Sequence, residues 1–189
     1  MVFHKIIFIT IFFVSQISNA QTNSRLVSDK EIYDFLNYIT KFENKYREEP
    51  RLTLKYISDK IIPWEKEDFI RKDSNSDEKL DPKYVFKKES GIDTIFNAAD
   101  RQLLIDQSNG ITTSVWQKKF KHSILAQNEK ENVVNRHSYS IPLFSADRKH
   151  VILKRKYYCG EGCCYYGYCI YRKNKKGTWD FVSSYNCGK

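Results

Sequence analysis

Five cysteines near the C-terminal end of the chain are the residues whose chemistry stands out first. Such thiols can form disulfides, hold a metal ion as thiolates or exchange disulfides with other proteins. All of them lie in one short stretch: Cys159, Cys163, Cys164, Cys169 and Cys187. The compartment in which the chain folds decides between these chemistries, because thiols stay reduced in the cytosol and oxidise outside it.

The N-terminal residues 1–20 have the pattern of a secretory signal peptide. A short basic head at His4 and Lys5 precedes an apolar run over 6–14, and the small residues at 18–20 suit cleavage. The apolar run is shorter than the about 20 residues that a membrane span needs. Residue 21 is Gln, so an N-terminal lipid on cysteine is excluded. We therefore expect an exported protein, periplasmic or secreted and not lipid-anchored, with a single domain over 21–189 and no transmembrane segment after cleavage.

Export makes disulfides the expected use of the cysteines. Structural zinc needs reduced thiols in two separated knuckles, and no Cys-x-x-Cys begins a helix as in exchange enzymes. If a turn at 174–177 sets the last hairpin, Cys169 faces Val182, and the same ladder brings Cys164 opposite Cys187. Cys159 can then meet Cys169 or close a small loop to Cys163. We predict Cys164–Cys187 plus one bridge from Cys159, no metal and no cofactor, and one odd thiol that is available for an intermolecular bond.

The same C-terminal stretch is basic and rich in tyrosine. Residues 148–189 contain ten Lys or Arg and two acidic residues, whereas basic and acidic residues balance over 21–147. Such a surface attracts polyanions through charge and stacking. The predicted polyanion-binding residues are Lys154, Lys156, Tyr158, Arg172, Lys173, Lys175 and Lys176. The expected partners are an anionic envelope polymer, a membrane surface or an acidic protein, and export disfavours nucleic acid. The alternative is a basic, solvated sheet face that serves solubility alone.

No residue pattern of catalysis is present. The histidines His122, His137 and His150 belong to no metalloprotease motif, and no Gly-x-Ser-x-Gly occurs. We therefore expect no catalytic residue and a monomeric, non-catalytic binding module. The alternative is a small, hydrolase-like envelope enzyme that uses the concave face of its sheet.

Helices are expected in the first half of the domain. Ser28 and Glu31 form a capping box before an apolar stripe of helical period, which predicts a helix over 29–47. A second stripe predicts a helix over 93–107 that ends before Gly110. Residues 65–71 suit a short helix, 52–62 fit a strand or a helix, and the polar residues 72–83 suggest an exposed loop.

From residue 112 onward the apolar period changes to two. Strands are predicted over 113–125, 137–145, 149–158, 166–173 and 178–186. The intervals are too short for crossover helices, which indicates an antiparallel sheet. The expected fold is α+β: N-terminal helices packed on one face of a four- to five-stranded antiparallel C-terminal meander. Alternation places Val151, Leu153, Trp179 and Phe181 on the core face and leaves Lys154 and Lys156 in solvent.

Three short motifs give the chain a resemblance. Residues 140–147 (SIPLFSAD) lead through a strand to Cys159-Gly-Glu-Gly-Cys163, and Gly177-Thr-Trp179 follows. This order resembles the C-terminal meander of a group of uncharacterised exported bacterial proteins, and Phe96-x3-Asp100, Gln107 and Trp116 look similar too. The resemblance covers 94–185 and implies a bridge between Cys159 and Cys163, with no known activity. The chain departs from it by its additional Cys164, Cys169 and Cys187.

Overall fold

The structure is a computed structural model that describes residues 27–45, 55–69, 92–121, 123–126, 136–160 and 163–186. The expected signal peptide, the loop over 72–83, His122 and Cys187 lie outside the described residues. Within the described ranges, no helix combines the length and the apolar character that a membrane span requires.

The long N-terminal helix forms as its capping signal predicts. It is α1, Asp29–Lys45. The backbone N of Ser28 donates to the Glu31 carboxylate at 3.1 Å, and the Glu31 amide donates to the Ser28 hydroxyl at 3.3 Å. This reciprocal pair satisfies two amides that a helix start leaves without partners.

The second predicted helix divides in two. A short α2, Ile92–Ile95, is followed by α3, Ala98–Asn109. The division falls at Asn97, which has extended backbone angles and caps α3 by accepting from the Asp100 amide at 2.9 Å. Asparagine offers its side chain to the backbone and so favours a cap over a helix interior. Before these helices, residues of the predicted 65–71 segment form one 3₁₀ turn, Lys66–Phe69.

The strands form one mixed, seven-stranded sheet. In chain order they are β1 Lys55–Ser58, β2 Ser123–Ala126, β3 Arg136–Tyr139, β4 Leu143–Phe144, β5 His150–Gly160, β6 Cys163–Lys173 and β7 Trp179–Asn186. The order across the sheet is β2-β1-β3-β5-β6-β7, and β4 also pairs with β5. The fold is therefore α+β.

The expectation of an entirely antiparallel sheet is wrong for its first strands. β1 runs parallel to both β2 and β3 and lies between them. Short intervals exclude parallel pairing between consecutive strands, but β1 comes from far upstream and needs no short connection. The predicted strand over 113–125 is also mostly absent, because Trp116 and Phe120 pack against Tyr33 of α1 with ring centroids 6.0 and 5.6 Å away.

The helices cover both faces of the sheet, not one as expected. We call the faces face 1, beneath α1, and face 2, beneath α3 and the 3₁₀ turn. The face 1 core joins α1 to Val151, Leu153, Cys169 and Tyr171. The face 2 core joins α2, α3 and the 3₁₀ turn to Ile152, Tyr168 and Ile170. The consecutive apolar residues at 151–153 point to opposite faces, so each face needed a cover.

Burial divides the hairpin of β5 and β6 into two parts. Residues 151–154 and 167–171, here called the hairpin base, are all buried. Residues 155–160 and 164–166, the hairpin tip, contain no buried residue. The boundaries on the two strands lie within one residue of each other, because Arg155, the first tip residue of β5, lies opposite Gly167, the first base residue of β6.

Candidate functional site

A buried ion pair lies in the hairpin base and corrects the expected position of Lys154. Its side chain is 1% exposed, and its Nζ lies 2.5 Å from Oδ2 of Asp68. The same Nζ donates to the Pro63 carbonyl at 2.8 Å and lies 5.3 Å from the Trp64 ring centroid. Lys154 therefore faces the protein interior and not a ligand.

Both oxygens of the Asp68 carboxylate accept hydrogen bonds besides the contact with Lys154. Asp68 accepts from the Tyr168 hydroxyl at 2.6 Å and from the Glu65 amide at 2.6 Å. Burying two charges is expensive, and it is tolerated where the pair is close and its remaining polar atoms have partners. The pair fastens the segment around the 3₁₀ turn to β5. Alternation correctly placed Lys154 on the face opposite Val151 and Leu153, but that face was assumed to be open to solvent.

The part of face 2 that belongs to the tip is basic and aromatic. Lys156 is exposed, as predicted, and lies opposite Ser138 of β3 and Tyr166 of β6. Beside it, the Arg136 guanidinium lies 5.8 Å from the Tyr158 ring centroid. These four residues, Arg136, Lys156, Tyr158 and Tyr166, form what we call the tip patch.

The other predicted polyanion-binding residues lie at the opposite end of the hairpin. Arg172 lies opposite His150. Since His150 precedes Lys156 by six residues on β5, the two levels are about 20 Å apart along the strand. Lys173 lies over the Trp179 ring at 5.4 Å, and Lys175 and Lys176 are exposed in the β6–β7 turn. The predicted patch is thus divided into the tip patch and a separate turn cluster.

The part of face 1 that belongs to the tip contains a shallow depression of about 220 Å³. Its lining includes the rings of Tyr157, Tyr165 and Phe181, with Arg155 and the backbone of Gly167. Beside it, His137 stacks on Tyr157 with centroids 4.6 Å apart, and Tyr157 is parallel to Tyr165 at 6.4 Å. Arg155 Nη2 lies 3.4 Å from His137 Nδ1.

The cysteines only partly follow the sequence prediction. Cys164 carries a free thiol, so the predicted Cys164–Cys187 bridge is wrong. A bulge between Ile170 and Tyr171 shifts the β6–β7 register, and Cys169 lies opposite Ser184 instead of Val182. The extrapolated pairing of Cys164 with Cys187 therefore fails by two residues.

Cys159 is disulfide-bonded. Cys169 is a buried thiol in the face 1 core, which excludes it as the partner. The side chain of Cys163 and all of Cys187 lie outside the described part of the chain. A bridge from Cys159 to Cys163, which the resemblance implies, stays a prediction.

Titratable groups elsewhere in the described residues do not gather into a metal-binding cluster. Within the ranges that the structure describes, no three His, Cys, Asp or Glu side chains come close enough to hold a metal ion. His137 is buried in its stack. His150 lies at the start of β5, where burial, and then the charge of Arg172, lower its pKa below 6.5 against the opposing effect of Asp147.

Sequence reasoning missed Arg136 and Gly167. Arg155 follows Val151 and Leu153 on face 1, and it lines a surface depression because the helical cover ends before it. Gly167 does have a sequence signal: a glycine inside a strand marks a bulge, a bend or a close approach of another group.

No known protein family, curated protein or solved structure matches the chain significantly.

Proposed function

We propose that the protein is an exported, non-catalytic binding module that holds an anionic polymer at the hairpin tip. The observation that carries the proposal is the burial boundary across the hairpin of β5 and β6. Apolar contacts fill both faces of the base, whereas the tip presents Lys156, Tyr158 and neighbouring Arg136 to solvent. The antiparallel strands β3, β5, β6 and β7 serve as the scaffold in this proposal.

Charge and ring chemistry support a polyanion as the partner. The cations Arg136, Arg155 and Lys156 lie at the tip on the paired strands β3 and β5, and their combined charge favours an anionic partner. Tyrosine rings beside the cations add flat contact area at a low cost in side-chain entropy. The disulfide of Cys159 holds the end of β5 and limits how far the tip can fray before it binds.

The enzyme alternative lacks a comparable observation. It needs convergent acid–base groups in an open pocket. The closest acid–base cluster of the described residues is Lys154, Asp68 and Tyr168, whose ion-paired side chains are 1% and 4% exposed. A substrate cannot reach these groups in the folded state.

Retention on an immobilised polyanion tests the proposal. The mature protein is applied to polyphosphate and dextran sulfate resins and eluted with a salt gradient. The double variant Arg136→Glu/Lys156→Glu reverses the charge of the tip patch, and we expect it to elute at clearly lower salt than the unmodified protein, because ion contacts are screened by salt.

The matched control is Lys175→Glu/Lys176→Glu, which makes the same change of net charge in the turn cluster. We expect this control to elute close to the unmodified protein. An equal shift for both variants would indicate general charge attraction without a site, and no retention of the unmodified protein would refute the proposed function.

A further inference from the structure

We infer that the depression at Gly167 holds one carboxylate-bearing sugar ring, so that the anionic polymer is a polyuronate. This inference rests on the proposed function and names the chemistry of its ligand. The depression lies on face 1 of the hairpin, across the sheet from the tip patch, at the level where the cover of α1 ends.

The size of the depression limits what it can hold. Its volume of about 220 Å³ is smaller than the about 300–1,000 Å³ of ordinary small-molecule pockets. It is open on one side, as the 58% exposure of Phe181 and the 48% exposure of Tyr165 show. A single ring that remains attached to a chain outside fits this shape better than a complete multi-ring ligand.

The glycine at position 167 is not required by the backbone. Among the described residues, the glycines with positive φ are Gly160 and Gly177, so Gly167 has strand angles that any residue adopts. A buried glycine inside a strand weakens it relative to a β-branched residue. Gly167 is itself buried and contributes its backbone to the lining of the depression: Arg155 lies directly opposite, and Tyr165 and Cys169 are two residues away on the same face.

The lining matches a carboxylated sugar. Arginine presents a planar fork that binds a carboxylate through two parallel hydrogen bonds. Arg155 lies opposite Gly167, and its contact with His137 Nδ1 restricts the guanidinium on one side. The rings of Tyr157, Tyr165 and Phe181 supply apolar surface for the C–H groups of a sugar, and Ser184 adds a hydroxyl at the rim.

Binding measurements with three polymers test this inference separately from the proposed function. Alginate is a polyuronate, dextran sulfate has sugar rings with sulfate groups, and polyphosphate has no ring. Affinities are measured by titration calorimetry for the unmodified protein and for Gly167→Val, which fills the depression. We expect Gly167→Val to weaken alginate binding by at least about tenfold while polyphosphate binding changes little.

The melting temperature of Gly167→Val should stay the same or rise, because valine is the better strand residue. The second variant is Arg155→Gln, and its matched control is Lys156→Gln, which removes the same charge from the neighbouring residue on face 2. We expect Arg155→Gln to weaken alginate binding more than Lys156→Gln does, whereas Lys156→Gln, which changes the tip patch, should weaken polyphosphate binding at least as much as Arg155→Gln.

The outcomes are distinct. Equal binding of the three polymers with no effect of Gly167→Val or Arg155→Gln would overturn the polyuronate site and leave the proposed function standing. Failure of the unmodified protein to bind any of the three polymers would overturn both. If Gly167→Val has a lower melting temperature than the unmodified protein, the comparison of Arg155→Gln with Lys156→Gln serves as the test of the polyuronate site.

Discussion

The base and the tip of the hairpin of β5 and β6 are built from the same two strands but meet opposite surroundings. Lys154 and Lys156 are two residues apart and point to the same face, yet the first is 1% exposed and the second is open to solvent. The difference comes from the segment around the 3₁₀ turn, which brings Asp68 and Trp64 over the base and ends before the tip. The burial of Lys154 and Lys156 therefore depends on a segment distant in sequence and not on the composition of β5 itself.

This contrast suggests different roles for the two parts of the hairpin: the base for stability and the tip for the proposed binding. The base carries the apolar contacts and the internal ion pair, so changes there should alter the free energy of unfolding. The tip carries few buried contacts, so its side chains can change with little effect on stability. Basic and aromatic residues in the tip are therefore free to serve binding.

The strongest test of the contrast is to remove each lysine charge in turn. Lys154→Met leaves the Asp68 carboxylate buried without its cation, and breaking a buried pair in this way costs about 3–5 kcal/mol. Lys156→Met is the matched control, because it makes the same substitution two residues away on the same face. We expect its effect to stay within about 0.5 kcal/mol in urea unfolding.

A double variant shows whether the loss arises from the orphaned carboxylate. Lys154→Met/Asp68→Leu removes both charges, and apolar replacement of a buried pair is often neutral. We expect it to regain most of the stability that Lys154→Met loses. Equal, small effects of Lys154→Met and Lys156→Met would contradict the enclosure of the pair.

The attachment of α3 to the sheet gives the next largest effect. Gln107 is buried, donates to the Phe144 carbonyl at 2.7 Å and accepts from the Phe144 amide at 2.9 Å. Gln107→Leu leaves both backbone groups without these partners, at about 1–3 kcal/mol for a buried polar group. Gln102→Leu on the same helix is the control, since Gln102 is exposed and bonds only Asp106. Similar melting temperatures for the two variants would show that the β4 contact carries little stability.

Local signals predicted the parts of the fold that local chemistry decides. The Ser28–Glu31 box located the start of α1, and period-two alternation located β5, β6 and β7 to within a few residues. Lys156 was correctly placed in solvent. Each of these features depends on neighbours within one helix turn or one hairpin.

The failures depend on contacts between residues far apart in sequence. The insertion of β1 between β2 and β3 joins Tyr56 to Arg136, and the burial of Lys154 depends on Asp68. Neither pairing produces a periodic pattern in the amino-acid sequence. The register shift between Ile170 and Tyr171 leaves Val182 of β7 without an opposite residue, and no local sequence pattern predicts it.

A smaller effect is expected inside the tip. The Arg136 guanidinium lies over the Tyr158 ring at 5.8 Å on an open part of the sheet. Such exposed cation–ring pairs contribute about 0.5–1 kcal/mol. A double-mutant cycle with Arg136→Gln and Tyr158→Leu, measured by urea unfolding, should give a coupling energy in this range. A coupling as large as that of the Lys154 pair would remove the distinction between tip and base.

The smallest effect is confined to mildly acidic pH. Burial first, and then the charge of Arg172, lower the pKa of His150 below 6.5 in the folded protein, although Asp147 opposes the shift. Well above pH 6.5 the imidazole is neutral in both states and its linkage to folding vanishes. As the pH falls below this value, the unfolded chain binds the proton first, so the free energy of unfolding decreases until the lower, folded pKa is reached.

His150→Phe should therefore leave stability near pH 7.5 almost unchanged and flatten its decline between about pH 6.5 and 5. The titration of Asp147 lies mainly below this pH range. Burial acts to raise its pKa, but hydrogen bonds from Ser145 and Lys149 lower it, and that linkage begins below about pH 4. Urea unfolding across the window measures the slope. If the free energy of unfolding of His150→Phe declines with falling pH as steeply as that of the unmodified protein, the acid sensitivity arises from another group. A flatter decline assigns it to His150 at the start of β5.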